Sequence, residues 1–241
     1  MVFGYLAIKF KVTNTKGVID EQENYFQNQI SSSTKAWVDT EEWQVLKEAI
    51  LKDKDDINKA AEIARIPSRI LLTPLVVEQL RLYYSEREIY KAVFAPLKIL
   101  GNQRQFSWGV MGIKPDTAIK IEENLKDLGK EYEHILDFTT DNIAEERFKR
   151  LTDDDSRYYS YLYAALYMKE LEIQWEKAGF PIEDKPEIVA TLFNIGFENS
   201  KPKADPKSGG AEIDINGVKY SFGSLAKSFY DSSEFLENFS K

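Results

Sequence analysis

The sequence predicts a mainly α-helical fold with one small β-hairpin near the C-terminus. Apolar residues recur at helical spacing over most of the chain, and capping residues, prolines and glycines divide these runs into separate helices. The clear strand signal is confined to AEIDINGVKYSF at 211–222, where Asn216-Gly217 separates two short strand-like runs. This dipeptide favours a tight two-residue turn, so the stretch is predicted to form a hairpin.

Two short amphipathic helices are predicted between residues 41 and 64, with an interruption around 53–56. The next helix begins near Pro67 and reaches Tyr84. Pro74 inside it is expected to produce a kink, because proline removes one backbone donor and crowds the preceding turn.

The remaining predicted helices have capping residues, prolines or glycines at their ends. They are a helix opened by the Ser85-x-x-Glu88 capping box and closed by Pro96, a helix from Pro115 to Gly129, a helix capped by Asp141 that ends at Leu151, a long helix from Ser156 to near Gly179, and a helix capped by Asp184 that ends at Gly196.

These elements divide the chain into three parts. Residues 1–39 form an N-terminal segment, residues 40–199 form the helical domain, and residues 200–241 form a hairpin and a helix. The last part carries too few apolar residues for a separate domain but enough to cover one end of a helical core. We therefore expect it to pack on the helical domain near Asn194.

Composition excludes several classes of protein. With 241 residues and 43% apolar residues the chain can fill a substantial core, so a disordered chain is excluded. The net charge of -8, with acids and bases interleaved, predicts no nucleic-acid partner. There is no cysteine, and His134 is the one histidine, so we expect no metal site, no cofactor and no triad chemistry. No integral membrane segment is expected either.

One carboxylate stands in unusually apolar surroundings. In LLTPLVVEQLRLYY, Glu78 is flanked by leucines and valines on both sides. Such surroundings disfavour the charged form of a carboxyl group, which is what a general acid working near neutral pH requires. The alternative is that Glu78 lies on a polar stripe of the helix or pairs with Arg81 or Arg69.

Three stretches, in order, carry a resemblance to a known family. They are Glu78 near the end of an apolar helix, the segment GVMGIKPDTA at 109–118, and ATLFNIGF at 190–197. Together they resemble the three-part signature of soluble lytic transglycosylases and goose-type lysozymes, and the strings EQLR and LKILGNQRQFSWGVMGIKPDTA resemble a further bacterial branch of that superfamily. The resemblance implies a lysozyme-like helical domain that cleaves peptidoglycan between N-acetylmuramic acid and N-acetylglucosamine.

The resemblance also implies roles for particular residues. Glu78 is expected to act alone, first as acid to the glycosidic oxygen and then as base, with an anhydro sugar as the product of a lytic transglycosylase. A muramidase, which hydrolyses the same bond, is the alternative activity. Peptidoglycan is the expected partner, and the expected location is extracytoplasmic or at the cell wall, after removal of an N-terminal signal or anchor. The expected substrate-binding residues are Gln79, Ser107, Trp108, Gly109, Val110, Met111, Gly112, Phe193 and Asn194.

Three positions depart from the family pattern. Gln79 replaces the usual serine, Gly112 replaces a glutamine, and Phe193 replaces a tyrosine whose hydroxyl could hydrogen-bond the catalytic carboxyl. A non-catalytic scaffold that binds glycan or a protein is therefore the alternative function. Three tyrosines of the long helix are candidates to supply the missing hydroxyl: Tyr158, Tyr161 and Tyr163.

Overall fold

The computed structural model describes residues 35–85, 109–153 and 155–241. Within these ranges the chain is mainly helical, with a small two-stranded antiparallel hairpin near the C-terminus, which confirms the predicted fold class. Most of the N-terminal segment, the helix expected after the capping box at 85–88, and the site residues Ser107 and Trp108 lie outside the described residues. No helix in the described ranges is long and apolar enough to cross a membrane.

The described elements are α1 (Glu41–Lys52), α2 (Lys54–Ala64), α3 (Ser68–Ser85), α4 (Pro115–Leu128), α5 (Ile143–Thr152), α6 (Tyr158–Lys177), α7 (Pro186–Ile195), a short 3-10 helix (Phe197–Asn199), β1 (Glu212–Ile215), β2 (Val218–Ser221) and α8 (Phe222–Tyr230).

Two predicted helix caps are wrong by one residue each. Asn142, rather than Asp141, caps α5, because its side-chain oxygen accepts a hydrogen bond from the backbone N–H of Glu145 at 3.3 Å. At the start of α7 the cap position is Lys185 instead of Asp184, and no side chain bonds the first turn. Pro186 occupies that first turn, where one backbone donor fewer needs a partner.

Helix α3 continues past Pro74. Proline has no N–H to donate to the carbonyl of Ile70, four residues earlier. The hydroxyl of Thr73 donates to that carbonyl instead, at 2.7 Å. A neighbouring side chain therefore satisfies the acceptor that Pro74 would leave without a partner, and α3 runs on to Ser85.

Helix α6 forms the centre of the molecule. It packs against α2, α3, α4, α5 and α7. Its buried residues lie on all sides of the helix, as expected for a helix enclosed by others. They are Ser160, Tyr161, Leu162, Tyr163, Ala164, Ala165, Leu166, Tyr167, Met168, Glu170, Leu171, Glu172 and Trp175.

The hairpin forms as predicted. Strands β1 and β2 pair antiparallel with Ile213 opposite Tyr220, and both of these side chains are buried. Asn216 and Gly217 have positive φ angles of 53° and 87°, the combination that a tight two-residue hairpin turn requires. One face of the hairpin therefore packs on the helical core.

Arg69 joins helix α3 to the end of the chain. Its side chain is fully buried, and its guanidinium donates hydrogen bonds to backbone carbonyls in the last turn of α8 and just beyond it. These acceptors are the carbonyls of Phe229 at 3.1 Å, Tyr230 at 3.1 Å, Ser232 at 2.8 Å and Glu234. A buried guanidinium is tolerated when its donors are bonded, and here backbone oxygens fill that role.

The last residues of the chain also hold the start of α3. The backbone N–H of Arg69 donates to the carbonyl of Ser240 at 2.9 Å, and the N–H of Ser240 donates to the Ser68 hydroxyl at 2.9 Å. An N–H group at the start of a helix has no partner within the helix. The C-terminal residues supply that partner, so they pack against the start of α3.

Arg69→Met is expected to lower the free energy of unfolding by about 3 kcal/mol or more, because it leaves several carbonyl groups without their buried donor. Urea unfolding followed by circular dichroism measures this loss. Arg65→Met is the control, since Arg65 makes an exposed ion pair with Glu131 that contributes about 1 kcal/mol or less. Equal small losses for both variants would show that the bonds from Arg69 to the C-terminal segment contribute little to stability.

Candidate functional site

Helix α3 contacts the other two stretches that carry the resemblance. The side-chain amide of Gln79 donates to the carbonyl of Val110 at 3.0 Å, which joins α3 to the 109–113 segment. Helix α3 also packs against α7, which carries Phe193 and Asn194. The 109–113 segment and α7 are distant from each other in sequence, and both contact α3.

Glu78 lies where α3 emerges from the core. Residues 70–77 of the helix are buried, whereas Glu78 and Gln79 are half-buried. The guanidinium of Arg81 donates to both carboxylate oxygens of Glu78, from Nε to Oε2 at 3.0 Å and from Nη2 to Oε1 at 2.6 Å. Pairing with Arg81, one of the two alternatives for this side chain, is therefore present. Glu78 does not pair with Arg69, because the guanidinium of Arg69 donates to backbone carbonyls of residues 229–234.

The 109–113 segment is held by the central helix. Gly109 has a φ of 69°, and a Cβ at this position would lie 2.3 Å from the carbonyl oxygen of Leu151 and 2.5 Å from Oγ of Ser160. The same Ser160 hydroxyl accepts a hydrogen bond from the N–H of Met111 at 3.3 Å. The missing side chain of Gly109 thus serves close packing on α5 and α6.

Side chains of this segment point largely into the protein. Val110 and Met111 are buried, with exposed fractions of 3% and 1%. Gly112 is half-buried, has a φ of 65° and donates its N–H to the Gly109 carbonyl at 3.2 Å. A ligand at this segment would therefore meet backbone at Gly112 more readily than the side chains before it.

Phe193 and Asn194 are both half-buried near the end of α7. The ring of Phe193 packs against Tyr167 of α6, with ring centroids 5.6 Å apart. The side-chain oxygen of Asn194 accepts a hydrogen bond from the N–H of Ala211 at 2.9 Å. The α7 stretch is thus supported by the central helix on one side and by the C-terminal segment on the other.

Two of the three tyrosines that were candidates for the missing hydroxyl bond other carboxylates. Tyr161 donates to Asp53 at 2.7 Å, and Tyr163 donates to Glu122 at 2.6 Å. Burial raises the pKa of both phenols, so they remain protonated donors. Tyr158 lies beneath the ammonium group of Lys59, 4.5 Å from its ring centroid. Tyr161 and Tyr163 are therefore engaged away from Glu78.

Sequence reasoning missed Glu170, a buried acid on α6. Asn124 of α4 donates a hydrogen bond to its carboxyl, and burial raises the pKa of Glu170 to about 7. It lies one helical turn from Tyr167, whose ring packs on Phe193. The signal was a glutamate inside the apolar run YLYAALYMKELEIQW, the same kind of signal that singled out Glu78.

Within the described ranges, no group of three or more histidine, aspartate or glutamate side chains is arranged to hold a metal ion. In comparisons with known proteins, no family model, no curated protein and no solved structure matches the chain.

The stability of the protein is expected to fall as pH rises from about 4.5 to about 7 because of Glu170. The unfolded state releases the proton near pH 4.5 whereas the folded state holds it to about pH 7, so rising pH favours unfolding across this window. Glu170→Gln removes the ionisable group and keeps an acceptor for Asn124.

Chemical denaturation of wild type and Glu170→Gln at several pH values measures the effect. Wild type should lose on the order of 3 kcal/mol relative to Glu170→Gln across the window. Glu123→Gln, an exposed change on the neighbouring α4, should keep the wild-type slope. Parallel curves for wild type and Glu170→Gln would contradict the assignment of a protonated Glu170.

Proposed function

We propose that the protein cleaves the glycan strands of peptidoglycan, with Glu78 as the catalytic carboxyl. The observation that carries the proposal is the contact of α3 with both partner stretches, through the hydrogen bond from Gln79 to Val110 and through the packing of α3 on α7. These are the stretches whose order in the sequence resembles the signature of lytic transglycosylases. The proposed substrate requires a location outside the cytoplasmic membrane.

A single carboxyl suffices for the chemistry that the resemblance implies. Glu78 in its protonated form donates to the glycosidic oxygen as the bond between sugar and leaving group breaks. The resulting carboxylate then takes a proton from a hydroxyl of the same sugar, which attacks the anomeric carbon and closes the anhydro ring. The N-acetyl group assists the departure of the leaving sugar.

Arg81 has a defined part in this scheme. Its planar guanidinium matches the two oxygens of an ionised carboxylate, so it bonds Glu78 best after the proton has been given up. Before the first step, Glu78 must be protonated and must give up at least one of these bonds. We propose that a bound sugar displaces Arg81 from the carboxyl and that the pair forms again once the proton is transferred.

Digestion of purified peptidoglycan sacculi tests the proposal. Glu78→Gln should lower the rate of muropeptide release about 100-fold or more, the scale on which general acid catalysis acts, with an unchanged melting temperature. Glu48→Gln is the matched control, because Glu48 is an exposed glutamate on helix α1. Turnover by Glu78→Gln at the wild-type rate would remove Glu78 from the mechanism.

The second candidate function is a scaffold that binds glycan or a protein without cleaving it. Two observations favour it: Arg81 occupies both oxygens of Glu78, and Phe193 brings no hydroxyl to the site. A scaffold of this kind shows saturable binding to its partner.

Mass spectrometry of treated sacculi separates the two functions. A lytic transglycosylase releases anhydro-muropeptides, a hydrolase releases new reducing ends, and a scaffold leaves the glycan strands intact. Intact strands after prolonged treatment with wild-type protein would favour the scaffold.

A further inference from the structure

The orientation of the Asn194 amide is determined by its neighbour. The backbone N–H of Ala211 can only donate a hydrogen bond, so the side-chain atom of Asn194 that faces it, at 2.9 Å, must be the oxygen. The amide nitrogen, Nδ2, then lies on the other side of the side chain. Among the described residues Nδ2 makes no hydrogen bond, and it carries two hydrogens available for donation.

The segment that fixes this orientation is itself held from both sides. The N–H of Gly209 donates to the hydroxyl of Thr191 on α7 at 3.0 Å. On the other side, the N–H of Gly223 at the start of α8 donates to the Gly209 carbonyl at 2.8 Å. Residues 209–211 therefore form a strap between α7 and α8, and the strap contacts α7 at Thr191 and Asn194, which lie on one face of that helix.

A side chain at position 210 of the strap would collide with Asn194. Gly210 has a φ of 93°, and a Cβ there would lie 2.8 Å from the Asn194 side-chain oxygen and 2.9 Å from Cβ of Phe222. Glycine at this position thus lets the backbone approach the amide closely enough for the next residue, Ala211, to bond it.

We propose that the strap, residues 209–211, is a positioning element of the glycan site, which turns Asn194 so that Nδ2 donates to the acetamido carbonyl of a bound N-acetyl sugar. The inference rests on the proposed function for the existence of that site. An amide oxygen is the acceptor that a fixed NH₂ donor fits, and a plain glucose unit lacks it. Asn194 therefore gives preference for N-acetylated sugars, and Ala211 acts through Asn194.

Binding of two neutral oligosaccharides tests the inference. Isothermal titration calorimetry compares the β-1,4-linked tetramer of N-acetylglucosamine with the corresponding tetramer of glucose. Asn194→Asp keeps an oxygen for the Ala211 N–H but replaces the donor by an acceptor, so its affinity for the acetylated tetramer should fall about tenfold or more. Its melting temperature should stay at the wild-type value.

Two further variants separate positioning from general destabilisation. Ala211→Pro removes the N–H that holds Asn194, so the ratio of affinities for the two tetramers should fall toward one, an effect that partial unfolding alone does not produce. Asn142→Asp is the matched control, because Asn142 also accepts from a backbone N–H, that of Glu145, but lies at the exposed start of α5. It should bind both tetramers as wild type does.

Wild-type affinity and selectivity in Asn194→Asp would overturn the inference. That result would not bear on the proposed cleavage of sacculi, which the Glu78→Gln variant tests separately. A wild-type protein that binds neither tetramer overturns it as well. Selective binding that depends on Asn194, without cleavage of sacculi, would support the inference and refute the proposed catalysis.

Discussion

The burial of helix α6 on almost every side is the constraint on which the structure depends. Each polar group that this helix takes into the interior requires a partner, because an unpaired buried polar group costs about 1–3 kcal/mol. The partners come from different segments: Asp53 between α1 and α2, Glu122 and Asn124 on α4, and the N–H of Met111. Satisfying α6 therefore fixes the positions of α4 and of the 109–113 segment.

The candidate site takes its geometry from three separate supports. The 109–113 segment rests on α6 through Ser160, and Glu78 is carried by α3, whose first turn is held by the C-terminal residues. Asn194 is oriented by the strap at 209–211. The C-terminal segment, residues 200–241, contributes to two of the three supports. Its contacts with Arg69 and Asn194 therefore position residues of the candidate site and also stabilise the fold.

Local patterns predicted the local parts of this structure. Helical spacing identified the buried faces of α1, α2 and α4, and the Asn216-Gly217 dipeptide identified the hairpin turn. The cap of α5 was wrong because Asp141 and Asn142 are adjacent and both are good capping residues. Packing of the C-terminal segment near Asn194 was predicted, although the particular hydrogen bond from Ala211 was not. The contacts of Arg69 were beyond prediction, since its partners lie about 160 residues away and an arginine carries no local sign of a distant partner.

In the candidate site, too, local contacts could be predicted from the sequence and contacts between distant residues could not. The pairing of Glu78 with Arg81 lies within one helical turn and was foreseen as one alternative, whereas the packing that Gly109 serves depends on Leu151 and Ser160. The most direct measurement of the central claim is a crystal structure of Glu78→Gln with the N-acetylglucosamine tetramer bound. Sugar density is expected against the backbone at Gly112, within hydrogen-bonding distance of residue 78 and of Nδ2 of Asn194. Sugar bound elsewhere on the protein, with this region empty at saturating ligand, would contradict it.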